Sequence, residues 1–410
     1  MTPRVPWPGL ASHQRWLEFE TDRLLRFAAG ARHPDGGFGW LDDRGNLDGS
    51  HPVELWITCR MTHVAALGVL LGRPGQRALL EHGIRALTGP FQDHDVGGWH
   101  AALPSGSVSS KGAYEHAFVV LAASSATLAG HEKGPDLLRR ALDALVARFW
   151  DDEHDMVADS WDPTTGRLDP YRGVNANMHT VEAFLAAADA TGDRVWLDRA
   201  LRIVERVLGL ASEHGHRIPE HFDESWNPLL EYNREIPADQ FRPYGATIGH
   251  GLEWARLALH LRAALGVDEA PAWILEHARG LFAASVRDGW AVDGADGFVY
   301  TIDWQGRPVV RERMHWVAAE ATATAAALWI ATGEQEYAAR YQALWEYIAD
   351  VFIDDELGSW HHELDAANRP SAKVWPGKPD LYHAVQATLI PRLPLGSCIA
   401  GGLAAGRLDG

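Results

Sequence analysis

Cysteine is almost absent from this sequence. Among 410 residues there are two, Cys59 and Cys398, and neither belongs to a CxxC pair or to another spacing typical of a metal site. No segment approaches the roughly 18 consecutive apolar residues of a membrane span, and the first residues lack the apolar stretch of a signal peptide. These absences predict a reduced, cytoplasmic, soluble protein with no membrane partner.

Basic charge is also scarce. The chain has 37 Lys and Arg against 55 Asp and Glu, which gives a formal net charge of −18. A surface this acidic argues against nucleic acid as a partner. The sequence contains no GxGxxG after a strand, no Walker A motif and no GxSxG. We therefore expect neither a nucleotide cofactor nor acyl-transfer chemistry.

What the sequence has in abundance is helical periodicity. Stripes of Ala and Leu recur at the spacing of an amphipathic helix. They predict twelve helices, at about 12–30, 52–72, 75–89, 111–130, 135–150, 175–191, 193–211, 247–265, 269–286, 312–332, 334–352 and 380–392. Very short glycine-containing links, such as Thr191-Gly192-Asp193, join several of them and predict antiparallel neighbours.

Short segments of another kind separate the helix pairs. Each combines an aromatic residue, an Asp and a Gly or Pro turn, a composition typical of β-hairpins. They lie at 37–46, 157–167, 221–228, 299–308 and 358–369. Because six helix pairs can close into a ring, we predict an all-α fold, an (α/α)6 barrel with short β-hairpin loops at the active-site end, in a single domain over 1–410. An open α-solenoid is the alternative.

Polar residues gather in the first turns of the second helix of each pair. These turns carry partial positive charge and free N–H groups, and in a barrel they face one common bowl. His250 and Glu253 are three residues apart, so both lie on one helical face. A similar HxxE spacing occurs in di-iron bundles, but the residues at the matching places are Arg60, Tyr114, Asn177 and Trp316. A cation and aromatic rings oppose a metal cage, so we predict no metal.

Several strings resemble one known family. They are Arg60-Met-Thr-His63, Ala176-Asn-Met-His179, the segment 221–228, Met314-His-Trp316, Trp360-His-His-Glu-Leu-Asp365 and above all RPYGATIGHGLEW at 242–254. Over about residues 10 to 395 the chain resembles the N-acylglucosamine 2-epimerase superfamily, with most likeness to its mannose isomerase and sulfoquinovose isomerase branch. The resemblance implies an (α/α)6 barrel and a metal-independent sugar isomerisation without a cofactor.

The resemblance also implies roles for individual residues. His250 and His383 match the family's two acid/base histidines; we expect His383 to move the proton between C1 and C2 and His250 to open the sugar ring. Glu253 is expected to orient His250, and Arg60 or Arg242 to stabilise the enediolate oxygen. The positions that match the family's sugar-binding residues are Arg60, Tyr114, Asn177, His179, Arg242, Glu253 and Trp316.

The expected function is therefore interconversion of D-mannose and D-fructose, with a free monosaccharide as the partner. A sugar 2-epimerase, or a sulfoquinovose isomerase with Arg60, Arg242 and Lys373 as sulfonate ligands, stays open within the superfamily. From another class, a glycoside hydrolase on the same fold needs an acid and a base carboxylate. Its candidates are Glu253, Asp303, Glu320 and Glu363.

Three further points stay open at this level. A non-catalytic protein-binding role is a weaker alternative, because it does not require a polar bowl. The oligomeric state is undetermined. The segment 370–380 combines turn residues with Trp375, which suits either a lid or a plain connection.

Overall fold

The computed structural model describes residues 5–104 and 110–409. Across these residues the chain is mostly helical, with only very short strands. Its α-helices are α1 Ala11–Ala28, α2 Leu55–Leu70, α3 Gln76–Leu87, α4 Ala113–Leu128, α5 Gly134–Phe149, α6 Val174–Thr191, α7 Val195–Glu213, α8 Ile248–Leu265, α9 Trp273–Gly289, α10 His315–Thr332, α11 Gln335–Val351, α12 Tyr382–Leu389 and α13 Ile399–Ala404.

Two kinds of helix alternate along the chain. The even-numbered helices α2 to α12 are buried almost all round; in α10, for example, all residues from Val317 to Leu328 are buried. The odd-numbered helices bury one stripe, as α7 does with Leu197, Ala200, Val204 and Val207. A helix that is apolar on every side belongs inside, and an amphipathic helix covers it. The Ala-rich composition of the inner helices lets them pack closely.

The inner helices form a closed ring. Each contacts the next, from α2 through α4, α6, α8 and α10 to α12, and α12 in turn contacts α2. The outer helix α1 packs on α12, so the first helix of the chain completes the sixth pair with the last long one. The predicted (α/α)6 barrel is confirmed, and the open solenoid is wrong. No helix in the described part of the chain combines the length and hydrophobicity that crossing a bilayer requires.

Short antiparallel strand pairs join the helix pairs at one end of the ring. The pairs are Val53–Glu54 (β1) with Ala102–Leu103 (β2), Trp150–Asp151 (β4) with Met156–Val157 (β5), Arg172–Gly173 (β8) with His221–Phe222 (β9), Ala246–Thr247 (β10) with Thr301–Ile302 (β11), and Arg313–Met314 (β12) with Glu363–Leu364 (β13). Ser160–Asp162 (β6) pairs with both Lys111–Gly112 (β3) and Arg167–Leu168 (β7). Five inner helices begin directly after one of these strands, so their N-termini are fixed at the same end.

One aspartate fixes the turn in several of the predicted hairpins. Asp42 accepts hydrogen bonds from the backbone N–H groups of residues 44 and 46, and Asp223, Asp303 and Asp365 accept from the equivalent groups two and four residues on. A short carboxylate side chain is suited to this turn because it reaches backbone donors just ahead of it. The recurring aromatic–Asp–turn pattern therefore has a physical basis in the loops.

The twelve predicted helices all exist, but several boundaries shift. The helices predicted from 52, 111 and 312 begin at Leu55, Ala113 and His315, because the residues before them form β1, β3 and β12. The last predicted helix ends at Leu389 and continues only as a 3-10 turn that contains Pro391. Helix α13 was not predicted; it has six residues, two of them Gly, and so shows no periodicity.

A buried ion pair fixes the start of α10. Arg313, two residues before His315, forms an ion pair with Asp293 at 2.6 Å, and the two side chains are only 1% and 2% exposed. Removing a charge from water costs free energy, and at this depth only the attraction to the partner charge offsets that cost.

Substituting Asp293→Asn should lower the free energy of unfolding by about 3–5 kcal/mol, because it leaves the Arg313 charge buried without a counter-ion. Urea unfolding followed by circular dichroism measures this. The matched control is Asp136→Asn, which removes the exposed pair with Arg139 and should change stability little. Equal effects of the two substitutions would contradict the argument.

Candidate active site

A cavity opens where the N-termini of the inner helices meet. It contains about 660 Å³ of empty space and is open to solvent at its mouth. Its walls combine aromatic rings with histidines and a few charged groups, the mixture expected of a small-molecule site. The lining residues are Trp56, Arg60, Tyr114, Asn175, His179, Gln240, Phe241, Pro243, His250, Glu253, Tyr300, His315, Trp316, His362, Trp375, Pro379, Asp380 and His383.

His250 lies in the first turn of α8 and is held by a carboxylate. Its Nδ1 lies 2.9 Å from Oε1 of Glu220, a residue of the loop before β9. Since a carboxylate only accepts, Nδ1 carries the proton and the other ring nitrogen, Nε2, keeps its lone pair. The ring is 8% exposed and lines the cavity. It is therefore held in the tautomer that a general base needs.

His383, in the first turn of α12, is held in the same way. Its Nδ1 lies 2.9 Å from Oε1 of Glu320 on α10. Burial lowers the pKa of His383 below its ordinary value of 6.5, and the bond to Glu320 opposes that shift. Burial would raise the pKa of Glu320, but the charge of Arg256, 2.6 Å away, holds it well below its ordinary value. An ionised carboxylate thus stands behind a neutral imidazole at neutral pH.

Trp316 lies between the two imidazoles. Its ring centroid is 5.4 Å from that of His250 and 5.6 Å from that of His383. Two histidines from helices far apart in the sequence therefore contact the same indole ring and line the same cavity. This brings two proton-transferring groups within reach of one small molecule.

Arg60 is the cation of the cavity wall. Its guanidinium donates to Asp380 and to the hydroxyl of Tyr114, both at 3.1 Å. Three aromatic rings surround it, with centroids 4.6 to 5.0 Å away; they belong to Trp56, Phe118 and Tyr382. The hydrogen bonds and the three rings fix the position of the guanidinium, and the group keeps its positive charge. It can stabilise an oxygen that becomes negative during a reaction.

Glu253 and His179 lie on a neighbouring part of the wall. Burial, and next the charge of Glu320, raise the pKa of Glu253 well above its ordinary value. Burial also lowers the pKa of His179 to about 4, with Glu182 opposing the shift. Burial therefore favours the uncharged form of both groups, in which each can form hydrogen bonds to a polar ligand.

The structure does not support three of the expected roles. Glu253 does not orient His250; Glu220 does, and Glu253 lies 3.4 Å from Arg256 instead. Asn177 is fully buried behind the cavity wall. Its amide bonds to the backbone of Val157 and Gly173, so nothing is left to bind a sugar.

Arg242 also lies outside the cavity lining. It forms an ion pair with Asp159 at 2.8 Å and stacks on Tyr171. Lys373, a candidate for a sulfonate, is exposed and forms an ion pair with Glu312. Of the three proposed cationic ligands, only Arg60 lines the cavity.

The structure also adds residues that sequence reasoning missed. Asn175 lines the cavity in place of Asn177, since a helix turns by about 200° over two residues. His315 and His362 line it as well, and both belong to strings that the sequence had singled out. Glu220 directly precedes such a string, but nothing in its own spacing marks it as a partner of His250.

The segment 370–380 borders the cavity and is firmly anchored. Glu363 accepts hydrogen bonds from the backbone N–H groups of Lys373, Val374 and Trp375. Lys378 is fully buried and donates to Asp354 at 2.7 Å. Trp375 lines the cavity. A movement of this segment as a lid would have to break these bonds.

Within residues 5–104 and 110–409, two groups of side chains have the composition of a metal site. They are His179, Glu182 and Glu253, and Glu253, Glu320 and His383, with potential ligand atoms within 4.8 Å of one another. The guanidinium of Arg256 contacts both Glu253 and Glu320. Arg256 therefore provides the positive charge beside Glu253 and Glu320 that a metal ion would otherwise provide.

Three of the four carboxylates considered for a hydrolase are bound to other groups of the protein. Asp303 is bound by the backbone of its own turn and by Arg307, and Glu363 anchors the 370–380 segment. Glu320 is bound to Arg256 and His383. Of the four candidates only Glu253 lines the cavity. The other carboxylate of the lining, Asp380, is paired with Arg60 at 3.1 Å, so it does not offer the free acid or base that a hydrolase needs.

Comparison with known proteins identifies the family. A profile of the N-acylglucosamine 2-epimerase (GlcNAc 2-epimerase) family matches residues 36–387. The chain belongs to the N-acylglucosamine 2-epimerase family. A D-mannose isomerase of Thermobifida fusca is 51% identical over 403 residues, which covers 97% of this chain and 98% of that one. A D-mannose isomerase of Pseudomonas cannabina pv. alisalensis is also 51% identical, with 97% of each chain covered.

Solved structures agree with this membership. A crystal structure of a D-mannose isomerase, 27% identical, covers 95% of this chain and 99% of its own, with a TM-score of 0.86. A cellobiose 2-epimerase from Spirochaeta thermophila has a TM-score of 0.81 over 95% and 98% of the two chains, but at 21% identity it shows the fold alone. Together the matches show that this family member is an enzyme, an aldose–ketose isomerase of the superfamily.

Substituting Glu220→Gln should lower kcat by about 10²–10⁴-fold with the fold intact, because an amide no longer holds the proton of His250 on Nδ1. Steady-state kinetics on the enzyme's sugar substrate measures the loss. The matched control is Glu224→Gln in the turn after β9, four residues further on, which changes an exposed side chain and should keep full activity. Unchanged kcat in the Glu220 variant would contradict the tautomer argument.

Proposed function

We propose that this enzyme interconverts D-mannose and D-fructose without a metal, through ring opening and a cis-enediol intermediate. One observation carries the proposal: two imidazoles, each held by a glutamate on Nδ1, contact the same indole ring in a cavity that contains a fixed guanidinium. The 51% identity to two D-mannose isomerases supports the choice of sugar.

The first step opens the pyranose ring. His250 transfers a proton between the anomeric hydroxyl and the ring oxygen, so that the C1–O5 bond breaks and C1 becomes an aldehyde. Glu220 stabilises the imidazolium form that arises when Nε2 holds the proton. The neighbouring Glu253 and His179 hold hydroxyl groups of the opened chain.

The second step moves a proton from C2 to C1. Nε2 of His383 takes the C2 proton, and the electron pair of that bond forms the C1=C2 double bond of the enediolate. The charge that develops on O1 is stabilised by Arg60, the only one of the two expected arginines that lines the cavity. His383 then returns the proton to C1, and the proton of O2 passes to the O1 oxyanion, so that C2 becomes the ketone and C1 a CH2OH group.

Other outcomes of the same chemistry receive less support. A 2-epimerase returns the proton to the opposite face of C2, which a second base such as His250 permits. A sulfoquinovose isomerase needs a strong sulfonate site, and Arg242 and Lys373 are bound to Asp159 and Glu312 instead. For this reason mannose is the proposed aldose.

Incubation with D-mannose in deuterated water, in the presence of a metal chelator, tests the proposal. The expected product is D-fructose that carries deuterium at C1, because the imidazolium of His383 exchanges its proton with solvent. The variant His383→Gln should form product about 10²–10⁴-fold more slowly. Nuclear magnetic resonance identifies the product and the labelled carbon.

Each alternative predicts a different result. Glucose labelled at C2 indicates a 2-epimerase, and loss of turnover with the chelator indicates a metal requirement. Release of sugar from a nitrophenyl mannoside, with no fructose from mannose, indicates a hydrolase. Turnover of sulfoquinovose in preference to mannose would replace the proposed substrate while keeping the reaction.

The pH dependence should report the lowered pKa of His383. Protonation of this imidazole removes the base, and because burial favours its neutral form, the acid limb of kcat/KM should be centred below pH 6.5, the ordinary pKa of histidine. A pH profile of kcat/KM for mannose measures this. An acid limb centred above pH 6.5 would contradict the assignment of His383 as the base.

A further inference from the structure

Two histidines that the proposed mechanism does not use lie stacked in the cavity wall. The rings of His315 and His362 have centroids 3.8 Å apart and an interplanar angle of 22°. His315 is the first residue of α10, directly before Trp316, and His362 directly precedes β13. Both are 5% exposed, and both line the cavity.

The hydrogen bonds of His315 define its tautomer. Its Nδ1 lies 3.3 Å from the backbone carbonyl of His362, which can only accept, so Nδ1 carries the proton. The backbone N–H of His315 donates to the same carbonyl at 3.0 Å. Nε2 is therefore an acceptor, and it has no hydrogen-bond partner among the residues that the structure describes, although it is buried. A buried polar atom without a partner is rare and calls for an explanation.

The surroundings keep His315 neutral. Burial, and next the charge of His383, lower the pKa of His315 to about 3. Burial, and next His315 itself, lower the pKa of His362 well below its ordinary value. A group with so low a pKa is a poor proton acceptor at neutral pH but still a good hydrogen-bond acceptor. His315 is thus chemically unlike His383, whose ring centroid is only 6.5 Å away.

We propose that His315 is a substrate-binding residue whose Nε2 accepts a hydrogen bond from one hydroxyl group of the sugar, beside His383. This inference rests on the proposed function, because it requires a sugar in the cavity. The stack on His362 fixes the plane of the ring, and the shared carbonyl fixes its tautomer. Nε2 of His315 therefore accepts a hydrogen bond from a hydroxyl group at one defined position, and the proton stays on that hydroxyl group.

Recognition by a buried acceptor has a measurable signature. A sugar that lacks the recognised hydroxyl leaves Nε2 without a partner, whereas a sugar that lacks any other hydroxyl does not. The unmodified enzyme should therefore lose about 10–100-fold in kcat/KM with one analogue of a deoxymannose panel through this contact. In His315→Ala the same analogue should lose almost nothing relative to mannose, because the acceptor is gone.

The experiment compares D-mannose with 3-deoxy-, 4-deoxy- and 6-deoxy-D-mannose in the unmodified enzyme, His315→Ala and His315→Gln. The expected result is that the penalty for one analogue disappears in the alanine variant and partly returns in the glutamine variant, whose side-chain oxygen is again an acceptor. The matched control is His13→Gln, which removes a buried imidazole that is bound to Tyr341 away from the cavity. Its ratios among the four sugars should equal those of the unmodified enzyme.

The outcomes separate this inference from the proposed function. No turnover of mannose by the unmodified enzyme overturns the function. Turnover of mannose with equal losses on all four sugars in both His315 variants overturns the inference alone, because the residue then has only a structural role. Circular dichroism confirms that each variant is folded, and if the alanine variant is not, the glutamine variant decides.

Discussion

The site depends on one constraint, which is that each of the two proposed proton-transferring imidazoles needs a carboxylate behind it to fix its tautomer. Burial favours the neutral ring, and without a partner either nitrogen can hold the proton. Glu220 and Glu320 remove that ambiguity for His250 and His383. Arg256 in turn supplies the charge that keeps Glu320 ionised. The two imidazoles therefore line the cavity, while the buried charged groups behind them fix which ring nitrogen carries the proton.

The barrel brings these groups together at one end of the ring. Inner helices rich in Ala bring their N-termini close together, and short strands fix five of these N-termini at one end. The same arrangement concentrates aromatic rings around Arg60 and between the two histidines. Solvent is largely excluded, so hydrogen bonds and charges act more strongly on a bound sugar than they would in water.

Part of the site was predictable from residue types, and part was not. His250, His383, Arg60 and Trp316 each lie in the first two turns of an inner helix, where polar residues gather, and the family resemblance matched them to acid/base or sugar-binding positions. The exchange of Asn177 for Asn175 shows the limit: two residues on one helix face nearly opposite directions, and composition alone does not say which faces the cavity.

The helix pairs, the hairpin loops and the kind of residue at the open end follow from local patterns in the chain, because periodicity and turn chemistry are local properties. The pairing of each carboxylate with its histidine follows from the three-dimensional packing instead. Glu253 has the local spacing to reach His250, yet Glu220 holds it from a loop thirty positions earlier in the chain. That choice depends on how distant segments pack, and no pattern within one helix contains it.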